Sequence, residues 1–460
     1  MLRSIAVSFA AIVTVLTPCP MVGHAAENKP LRISTFKVDA TPPVGSPLCD
    51  GAVLPVQTVE DPLSARGLIL LADGEPIVLC AVDWVGVGNA GYDAWRKALA
   101  DAAGTSPHRV ALHTLHQHDA PGCDFLAEKL LADAKFSGAM FNVEFARRTI
   151  DATAAAVRES LKNPRTVTHL GLGRAKVDRV AANRRVLGED GKVKHVRWSF
   201  TDNAEARAAP EGDIDPWMQS VSFWDGDKPL VDVTYYATHP QSWHNRGAVS
   251  GDTIGLARAQ RERETPEVTH IHFNGASGNV TVGKYYDGTR ESRAELASRL
   301  ADGMRASWKD VKRRPINAAE VGWRFEPVEL PVSPWMVEKE LQTTLADATK
   351  GSKERVRCAM DLAWMTRCKE KQPIDLSCLR LGTVYVLHMP AELFIEYQLA
   401  AQRMRPEDTV LMAAYGDYGA GYIGTEISYT QGGYETGIAS RTAPQVEQVL
   451  MKGMQKLLQP

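Results

Sequence analysis

The chain has 460 residues, of which 44% are hydrophobic and 23% are charged, and its formal net charge is −2. This composition is typical of a globular protein that buries a large core. The charges are nearly balanced and no basic run is long enough to follow a phosphate backbone, which excludes nucleic acid as the expected partner.

Residues 1–26 differ from the rest of the chain. Arg3 precedes an apolar run from Ile5 to Thr17, and the small residues Gly23 and Ala25 occupy cleavage positions. This pattern predicts a secretory signal peptide over residues 1–26. The run is shorter than the roughly 20 residues that span a bilayer, and no later segment is longer. We therefore predict an exported protein, periplasmic or secreted, with no transmembrane segment.

Strand and helix patterns alternate along residues 27–460. The segment "LRISTFKVDATPPVG" predicts a strand that ends in a proline turn, and "RGLILLADGEPIVLCAVDWVGV" predicts a hairpin through Asp73 and Gly74. A helix is predicted at "AGYDAWRKALADAAG" and a strand at "HRVALHTLH". Further helices are predicted around residues 143–162, 255–263, 290–311, 393–403 and 446–458. Further strands are predicted around residues 167–177, 219–224, 230–238, 267–275, 382–392 and 408–416.

We find no internal sequence repeat and no linker. The alternation of strands and helices, with some hairpins, predicts one large domain over residues 27–460 of the α/β class, or of the α+β class with a mixed sheet.

The chain contains seven cysteines, and Cys19 falls within the predicted signal peptide. An even number in an exported chain permits disulfides. Cys358, Cys368 and Cys378 are close enough in sequence for one local bridge. Cys80 lies in an apolar run and is predicted to be a buried thiol.

Several polar segments follow predicted strands, where α/β sheets usually bind ligands. In "HTLHQHDAPG", His116 and His118 face the same side if the strand stays extended. Two histidines and a carboxylate from separate strands make a catalytic zinc set that leaves one position open for water. The other candidates are His239 in "YYATHPQSWHN", Glu392 in "LHMPAELFIEY", and Tyr422, Tyr429 and Tyr434 in a Gly/Tyr-rich loop.

Each of these segments also has a purely structural interpretation. A histidine at a strand end is more often a hydrogen-bonded structural residue than a ligand, and a glutamate near a helix start is favoured by the helix dipole. The Gly/Tyr-rich segment can be a surface loop. For the pair His270 and His272 we favour the structural interpretation.

Five segments, taken in chain order, resemble the neutral ceramidase family. They are "DATPPVG", "LHQHDAPG", "HPQSWHNRGAVSGD", "MPAELF" and "YGDYGAGYIGTEISYTQGGYE". The resemblance runs through most of the chain after residue 26 and implies a ceramidase-like catalytic domain. It also implies a zinc site and an acyl-bond hydrolase activity.

The resemblance assigns a role to individual residues. The implied zinc ligands are His116, His239, Glu392 and Tyr422. His118 would lie in the site as a proton-transfer group, and Tyr434 would stabilise the developing oxyanion. His113 would then be structural.

The chain departs from the family pattern at three places. The position of the family's motif serine falls on Gly275, and Ser277, two residues later, does not inherit that role. Asp119 replaces a serine and adds a charge near the expected metal. Typical family members continue into a C-terminal β-sandwich, which we expect to be missing because the sequence ends soon after Tyr434. These departures favour a substrate more polar than ceramide.

The sequence therefore predicts an exported, zinc-dependent hydrolase that uses a zinc-activated water on a small-molecule or lipid acyl substrate. The bond is expected to be an amide, in an N-acyl sphingoid lipid or in another compound. One alternative is a zinc-dependent esterase or lactonase acting on a polar or carbohydrate-derived substrate. Another is a non-catalytic, ligand-binding relative of the ceramidases.

Overall fold

The structure is a computed structural model that describes Ile5 and residues 29–459. The predicted signal peptide, residues 1–26, lies outside the described residues except for Ile5. Among the described helices, none is long and apolar enough to cross a membrane.

The described chain contains eleven α-helices, numbered here in chain order. They are α1 (Asn89–Ala103), α2 (Phe125–Asp133), α3 (Val143–Ser160), α4 (Ala204–Ala208), α5 (Asp252–Glu264), α6 (Arg290–Lys309), α7 (Glu338–Ala346), α8 (Ser352–Lys369), α9 (Ile395–Met404), α10 (Glu426–Gln431) and α11 (Val446–Leu457).

The strands of the three larger sheets are numbered in chain order. They are β1 (Leu31–Asp39), β2 (Ser64–Leu71), β3 (Ile77–Val82), β4 (Val110–Thr114), β5 (Arg165–Val167), β6 (His169–Lys176), β7 (Trp217–Asp225), β8 (Lys228–Tyr236), β9 (Thr269–Asn274), β10 (Lys312–Pro315), β11 (Val321–Val328), β12 (Ile374–Leu381), β13 (Val384–His388) and β14 (Thr409–Ala413). Short two-stranded pairs connect the loops, and one joins Glu392–Leu393 to Tyr422–Ile423.

The three sheets are built to one plan. Their strand orders are β4-β3-β2-β1-β5, β9-β8-β7-β6-β10 and β14-β13-β12-β11. In each sheet three antiparallel strands are followed by a helix (α1, α5 or α9) and then by a parallel strand at the edge. The sequence shows no repeat, so the recurrence lies in the topology alone and not in matching residues.

The parallel edges of the three sheets meet at the centre of the molecule. The Thr114 N–H donates to the Tyr415 carbonyl, and the Ala414 N–H donates to the Asn274 carbonyl, both at 2.9 Å. These bonds link the end of β4 to the end of β14, and the end of β14 to the end of β9. The loops at the carboxyl ends of these strands therefore gather in one place, which is where α/β sheets bind ligands.

The core runs between the sheets. One buried cluster contains side chains from all three, including Leu79, Val233 and Val386. Helices α1 and α3 pack beside the first sheet, α5 and α6 beside the second, and α9 and α11 beside the third. Because the three sheets share this core, the described residues 29–459 form one domain. The predicted α/β class with mixed sheets is confirmed.

Most predicted elements are found, but α2 and the strands β10, β11 and β12 were not predicted. The hairpin through Asp73 and Gly74 joins β2 and β3. The helices α7 and α8, inserted between β11 and β12, were not predicted. All six cysteines in the described chain are free thiols, so the local bridge among Cys358, Cys368 and Cys378 is not formed. Cys80 is buried, as predicted.

Candidate metal centre

His116 lies in the loop that follows β4. Its ring Nδ1 is 2.5 Å from the Val85 carbonyl oxygen, to which it donates a hydrogen bond. That bond leaves the Nε2 lone pair free, and Nε2 is buried with no hydrogen-bond partner. A backbone carbonyl thus orients the ring as it does in many metal-binding histidines.

His239 follows β8 and is held in the same way. Its Nδ1 donates to the Ser277 carbonyl at 3.2 Å, and its buried Nε2 has no partner. Burial, together with the nearby Arg184 charge, lowers the pKa of His239 well below its usual value. The ring is therefore neutral and offers a lone pair, which is the form that binds metals.

Glu392 follows β13 and completes a set with one residue from each sheet. Its Oε2 lies 3.2 Å from the His116 Nε2 and 3.5 Å from the His239 Nε2. Its Oε1 accepts a hydrogen bond from the Tyr418 hydroxyl at 2.9 Å.

These atoms fit a cation. With both Nδ1 atoms donating to carbonyls, the two Nε2 atoms and the Glu392 Oε2 face one another, and in the neutral form of both rings all three are acceptors. Buried polar atoms without partners are rare and costly. A metal ion bound by two histidines and one carboxylate satisfies all three atoms.

His118 lies beside this set, and its ring centroid is 4.9 Å from that of His116. One ring nitrogen each of His116, His118 and His239 lies within 4.8 Å of the others, so these three side chains could also hold a metal. The His118 Nε2 is buried without a partner, while its Nδ1 is 3.8 Å from the Cys49 sulfur. Burial, then the His116 ring, lowers the pKa of His118 well below its usual value.

Strained backbone surrounds the centre. His116, Ala391 and Tyr415 have φ angles of 64°, 59° and 63°, in the left-handed region. Such residues cost about 1–3 kcal/mol each and cluster at functional sites, where the surrounding structure holds them in place.

Tyr422 and Tyr434 lie together on the other side of the centre. Their hydroxyls are 3.2 Å apart. The buried Arg184 guanidinium donates to the Tyr422 hydroxyl at 3.3 Å and also to the Tyr434 hydroxyl. The Tyr422 ring lies parallel to that of His239, with centroids 6.3 Å apart. Burial raises the pKa of Tyr434 to about 12, so its hydroxyl keeps its proton and can donate.

Two exposed side chains contact residues of the centre. The exposed Trp198 stacks on Tyr434 with centroids 4.9 Å apart. The exposed His244 lies 5.4 Å from His118 between ring centroids.

The glycine-containing loop after β9 supports the centre from behind. A Cβ added to Gly275 would lie 2.5 Å from the Gln398 Oε1, so no serine side chain fits there without a shift. Ser277 is fully buried, and its hydroxyl lies 2.8 Å from that of Tyr415. Gly278 passes so close to Glu392 that an added Cβ would lie 2.3 Å from the Glu392 carbonyl oxygen. The loop thus packs directly beneath the candidate ligands.

The six residues to which the resemblance assigns a role in the site all lie in this region. The structure brings together His116, His118, His239, Glu392, Tyr422 and Tyr434. Tyr429 lies elsewhere and bonds to Ser440 and Thr442. Asp119 does not direct its charge at the centre, because its two carboxylate oxygens accept the backbone N–H groups of Asn245 and Arg246.

Other histidines are in structural positions. His113 donates through Nδ1 to the Ala414 carbonyl at 2.8 Å, and His272 bonds to the Thr234 hydroxyl at 2.9 Å. His270 bonds to the Thr265 hydroxyl at 2.8 Å.

The sequence analysis missed four residues of the site. Tyr415 and Tyr418 belong to the Gly/Tyr-rich loop. Because that loop was already a candidate site segment, both tyrosines could have been proposed from the sequence. Arg184 lies in "AANRRVL", a short irregular segment with no pattern that indicates a buried cation. Cys49 follows the proline turn, far in sequence from the histidine that it contacts.

Comparisons with known proteins relate the chain to the neutral ceramidases through its structure. No family model matches the sequence, and no curated protein matches it. A solved structure of a ceramidase complexed with C2 superposes with a TM-score of 0.68 at 16% identity, covering 93% of this chain and 75% of that one. The neutral ceramidase from Pseudomonas aeruginosa superposes with a TM-score of 0.66 at 16% identity, covering 94% and 75%. The ceramidase-like fold implied by the sequence resemblance is confirmed.

Proposed function

We propose that this protein is an exported, zinc-dependent hydrolase that cleaves an amide bond of an acyl substrate. One observation carries the proposal: the Nε2 atoms of His116 and His239 and the Oε2 of Glu392 face one another, buried and without a proton donor. Buried acceptors without partners are costly, and a cation bound among these three atoms would satisfy all of them.

The donor set favours zinc. Two imidazole nitrogens and one carboxylate oxygen are typical of catalytic zinc sites, which keep a further position open. Mg²⁺ and Ca²⁺ prefer oxygen ligands. We assign His116, His239 and Glu392 as the main ligands and Tyr422 as a weaker fourth. Burial raises the pKa of Tyr422 well above its usual value, so its phenol is neutral and binds less strongly.

A zinc ion held there would supply a Lewis acid for the acyl carbonyl and would lower the pKa of a water molecule. The chain's own residues supply the remaining chemistry. Tyr434 donates its hydroxyl proton in a hydrogen bond to the oxygen that becomes negative, and the Arg184 charge behind it strengthens that donor. His118 is neutral, so it can accept a proton from the attacking water and deliver it to the leaving nitrogen.

The choice of an amide bond rests on the ceramidase-like fold and on the resemblance of the five segments. We propose short or polar acyl amides as substrates at least as good as long-chain ceramide, because Gly275 stands where the family has a serine. Export is supported by the signal-peptide pattern in residues 1–26.

The test begins with the metal. The purified protein is expected to contain about one zinc per chain, to lose amide hydrolysis on chelation, and to recover it when zinc is added back. A panel of acyl amides and matched esters then identifies the bond. Full activity in protein shown to be metal-free would contradict the proposal, and cleavage of esters alone would replace the amidase by an esterase.

A second measurement addresses chain length. Each buried CH₂ group is worth about 0.8 kcal/mol, so a long-chain enzyme gains kcat/KM steeply from acetyl to palmitoyl amides. We expect a flat or falling series. A steep rise with palmitoyl ceramide as the best substrate would show that the lipid activity of the ceramidases is retained.

A further inference from the structure

Trp198 is an exposed aromatic residue in direct contact with the candidate site. It follows the short strand Val193–Val196, and 56% of its surface is exposed. One face of its indole lies on the Tyr434 ring, with centroids 4.9 Å apart and ring planes 22° from parallel. Because the Tyr434 hydroxyl is the proposed donor to the acyl oxygen, the indole lies one aromatic ring away from the reacting group.

The backbone of Trp198 is attached to the same part of the molecule as His239. The Trp198 carbonyl accepts from the Thr281 hydroxyl at 3.3 Å, and Gly283 passes so close that an added Cβ would clash with that carbonyl oxygen. Thr281 in turn forms a parallel β-bridge with His239. Trp198 is therefore joined to the site twice, through its ring and through its carbonyl.

Arg197 anchors the same segment from the interior. Its side chain is buried, and its guanidinium donates at 2.7 or 2.8 Å to four backbone carbonyls, those of Asn183, Ala206, Ala209 and Pro210. The Arg197 N–H donates to the carbonyl of Arg184, the cation beside Tyr422 and Tyr434, at 2.8 Å. These bonds hold the neighbouring Trp198 in place before a ligand binds, which lowers the entropic cost of binding.

A single exposed apolar side chain is ordinary on a protein surface. Trp198 differs from such a residue because its backbone is fixed and its ring lies against a residue of the site. No other described ring or guanidinium stacks on it, so the face opposite Tyr434 is left for a ligand.

We infer that Trp198 is a specificity-determining residue, whose outer indole face stacks on an aromatic ring of the substrate while the acyl bond lies at the histidine–glutamate centre. The inference deepens the proposed function and rests on it. Aromatic rings pack favourably in offset stacks. Since Tyr434 already covers the inner face of the indole, a substrate ring would extend an existing stack by one member. The substrate class is a short amide with an aryl group near the scissile bond, on the acyl or the amine side.

A lipid surface is the other ligand that exposed tryptophans bind. The contacts of Trp198 favour a substrate ring, because its ring and its backbone are both fixed to residues of the site. If Trp198 served membrane docking, its removal would have no effect on soluble substrates.

The experiment uses pairs of soluble amides that differ only in the planarity of one ring. On the acyl side these are N-ethyl-2-phenylacetamide and N-ethyl-2-cyclohexylacetamide, and on the amine side N-benzylbutanamide and N-(cyclohexylmethyl)butanamide. Burial of apolar area alone favours the cyclohexyl member, which is the more apolar, whereas stacking favours the phenyl member. We expect the zinc-loaded protein to prefer the phenyl member of one pair in kcat/KM, and that pair identifies the side that carries the ring.

In Trp198→Ala, the phenyl-to-cyclohexyl ratio of kcat/KM should fall by about 3–10-fold, the range for one stacked aromatic pair. The change should lie mainly in KM, because the ring contact is the same in the bound substrate and in the transition state. Trp198→Phe should retain most of the ratio. If Trp198 only supported Tyr434, Trp198→Ala would lower turnover of both members equally, which would overturn the inference.

Phe325→Ala is the matched control. Phe325 is also an exposed ring stacked on another ring, that of His108, with centroids 4.4 Å apart. His108 precedes β4 and His116 follows it, so this stack lies at the opposite end of the strand, and its removal should leave the ratio unchanged. An equal fall of the ratio in Phe325→Ala would overturn the inference. So would preference for the phenyl member in neither pair, or an effect of Trp198→Ala confined to substrates presented in vesicles.

Calorimetric binding of the same four amides separates this inference from the proposed function. Binding that favours a phenyl member and depends on Trp198, without any turnover, would contradict the amidase proposal while supporting the ring site. Turnover without preference for a phenyl member would contradict the ring site alone.

Discussion

The histidine–glutamate half of the site and the tyrosine–arginine half satisfy their polar atoms in opposite ways. In the first half, His116, His239 and Glu392 each use one atom in a hydrogen bond to a backbone carbonyl or a hydroxyl. Each leaves a second atom buried and without a hydrogen-bond partner. In the neutral form of both rings the unpartnered atoms are all acceptors, which a bound cation would satisfy.

The tyrosine–arginine half contains a positive charge of its own, on Arg184. The hydroxyls of Tyr422 and Tyr434 bond to each other and to the Arg184 guanidinium. Arg184 forms no ion pair with any described carboxylate, and its charge is directed at these two hydroxyls. This difference supports the proposed function, in which the two halves bind different ligands. The first half would bind a cation, and the second would stabilise an oxygen atom that gains negative charge.

The largest effect is expected when a histidine of the first half is replaced. His116→Ala or His239→Ala should abolish zinc binding and lower kcat/KM by about 10³-fold or more, since several kcal/mol of transition-state stabilisation depend on the metal. Tyr422→Phe should retain zinc, with affinity weakened by about 10–100-fold, the range for a supporting contact. Zinc content by mass spectrometry and amide hydrolysis are the readouts.

His108→Ala is the control for these variants, because His108 is a half-exposed histidine that bonds to Asp375 at the surface. It should keep both zinc and activity. Full zinc occupancy in both His116→Ala and His239→Ala would refute the ligand assignment.

The second half is tested by Tyr434→Phe. Removing one hydrogen-bond donor to an oxyanion costs about 10²–10³ in kcat. We expect a loss at the lower end of that range, because Arg184 remains. Zinc content and KM should stay within about twofold of the unaltered protein if the hydroxyl acts mainly in the transition state. Loss of zinc in Tyr434→Phe would mean that the two halves are not separable.

Local patterns in the sequence were enough to predict most of the fold. Strands β2 and β3 are apolar runs separated by turn residues, and α1 has helical periodicity. These short-range signals were enough to predict all three elements. The threefold recurrence of the sheet plan left no trace in the sequence, because a topology constrains burial and not residue identity. The pairing of β14 with β13, and the contacts of both with the other sheets, depend on residues far apart in the chain.

The candidate site was predictable in part for the same reason. His116, His239 and Glu392 follow strands, and the resemblance to the ceramidases placed them together. Arg184 could not be predicted, since nothing in its own segment indicates that it lies beneath two tyrosines from a distant loop. The orientation of Asp119 depends on the backbone N–H groups of Asn245 and Arg246. A sequence pattern describes side chains and does not predict such backbone contacts.

The loop behind both halves gives a smaller effect, on stability. Gly275→Ser would place a Cβ 2.5 Å from the Gln398 Oε1, which already accepts from the Ala276 N–H at 3.0 Å. The Gln398 amide nitrogen also donates to Asp215 at 2.7 Å, so both polar atoms of the amide group are fixed by hydrogen bonds. We expect a loss of about 1–3 kcal/mol in the free energy of unfolding, the usual cost of overpacking, and no gain in activity.

Gly255→Ser is the control for that measurement, because an added Cβ there meets no other atom within 4 Å. Urea titration should show its free energy of unfolding unchanged or slightly raised. A Gly275→Ser protein with full stability and higher amidase activity would show that the family's serine can be restored, and that the loop takes part in the chemistry.

The smallest effect is expected for Ser277→Ala. Ser277 supports the histidine–glutamate half, since its carbonyl accepts from His239 and its hydroxyl bonds to Tyr415 at 2.8 Å. The substitution keeps the carbonyl and removes only the hydroxyl, at a cost of about 1 kcal/mol for one buried hydrogen bond. We expect kcat/KM to fall by less than about tenfold, with zinc retained, because the residue positions its neighbours and does not attack the substrate. Mass spectrometry of protein quenched during turnover tests whether an acyl group is bound covalently to Ser277. An acyl group trapped on Ser277, together with an inactive alanine variant, would make the serine the nucleophile and would reduce the histidine–glutamate half to a supporting role.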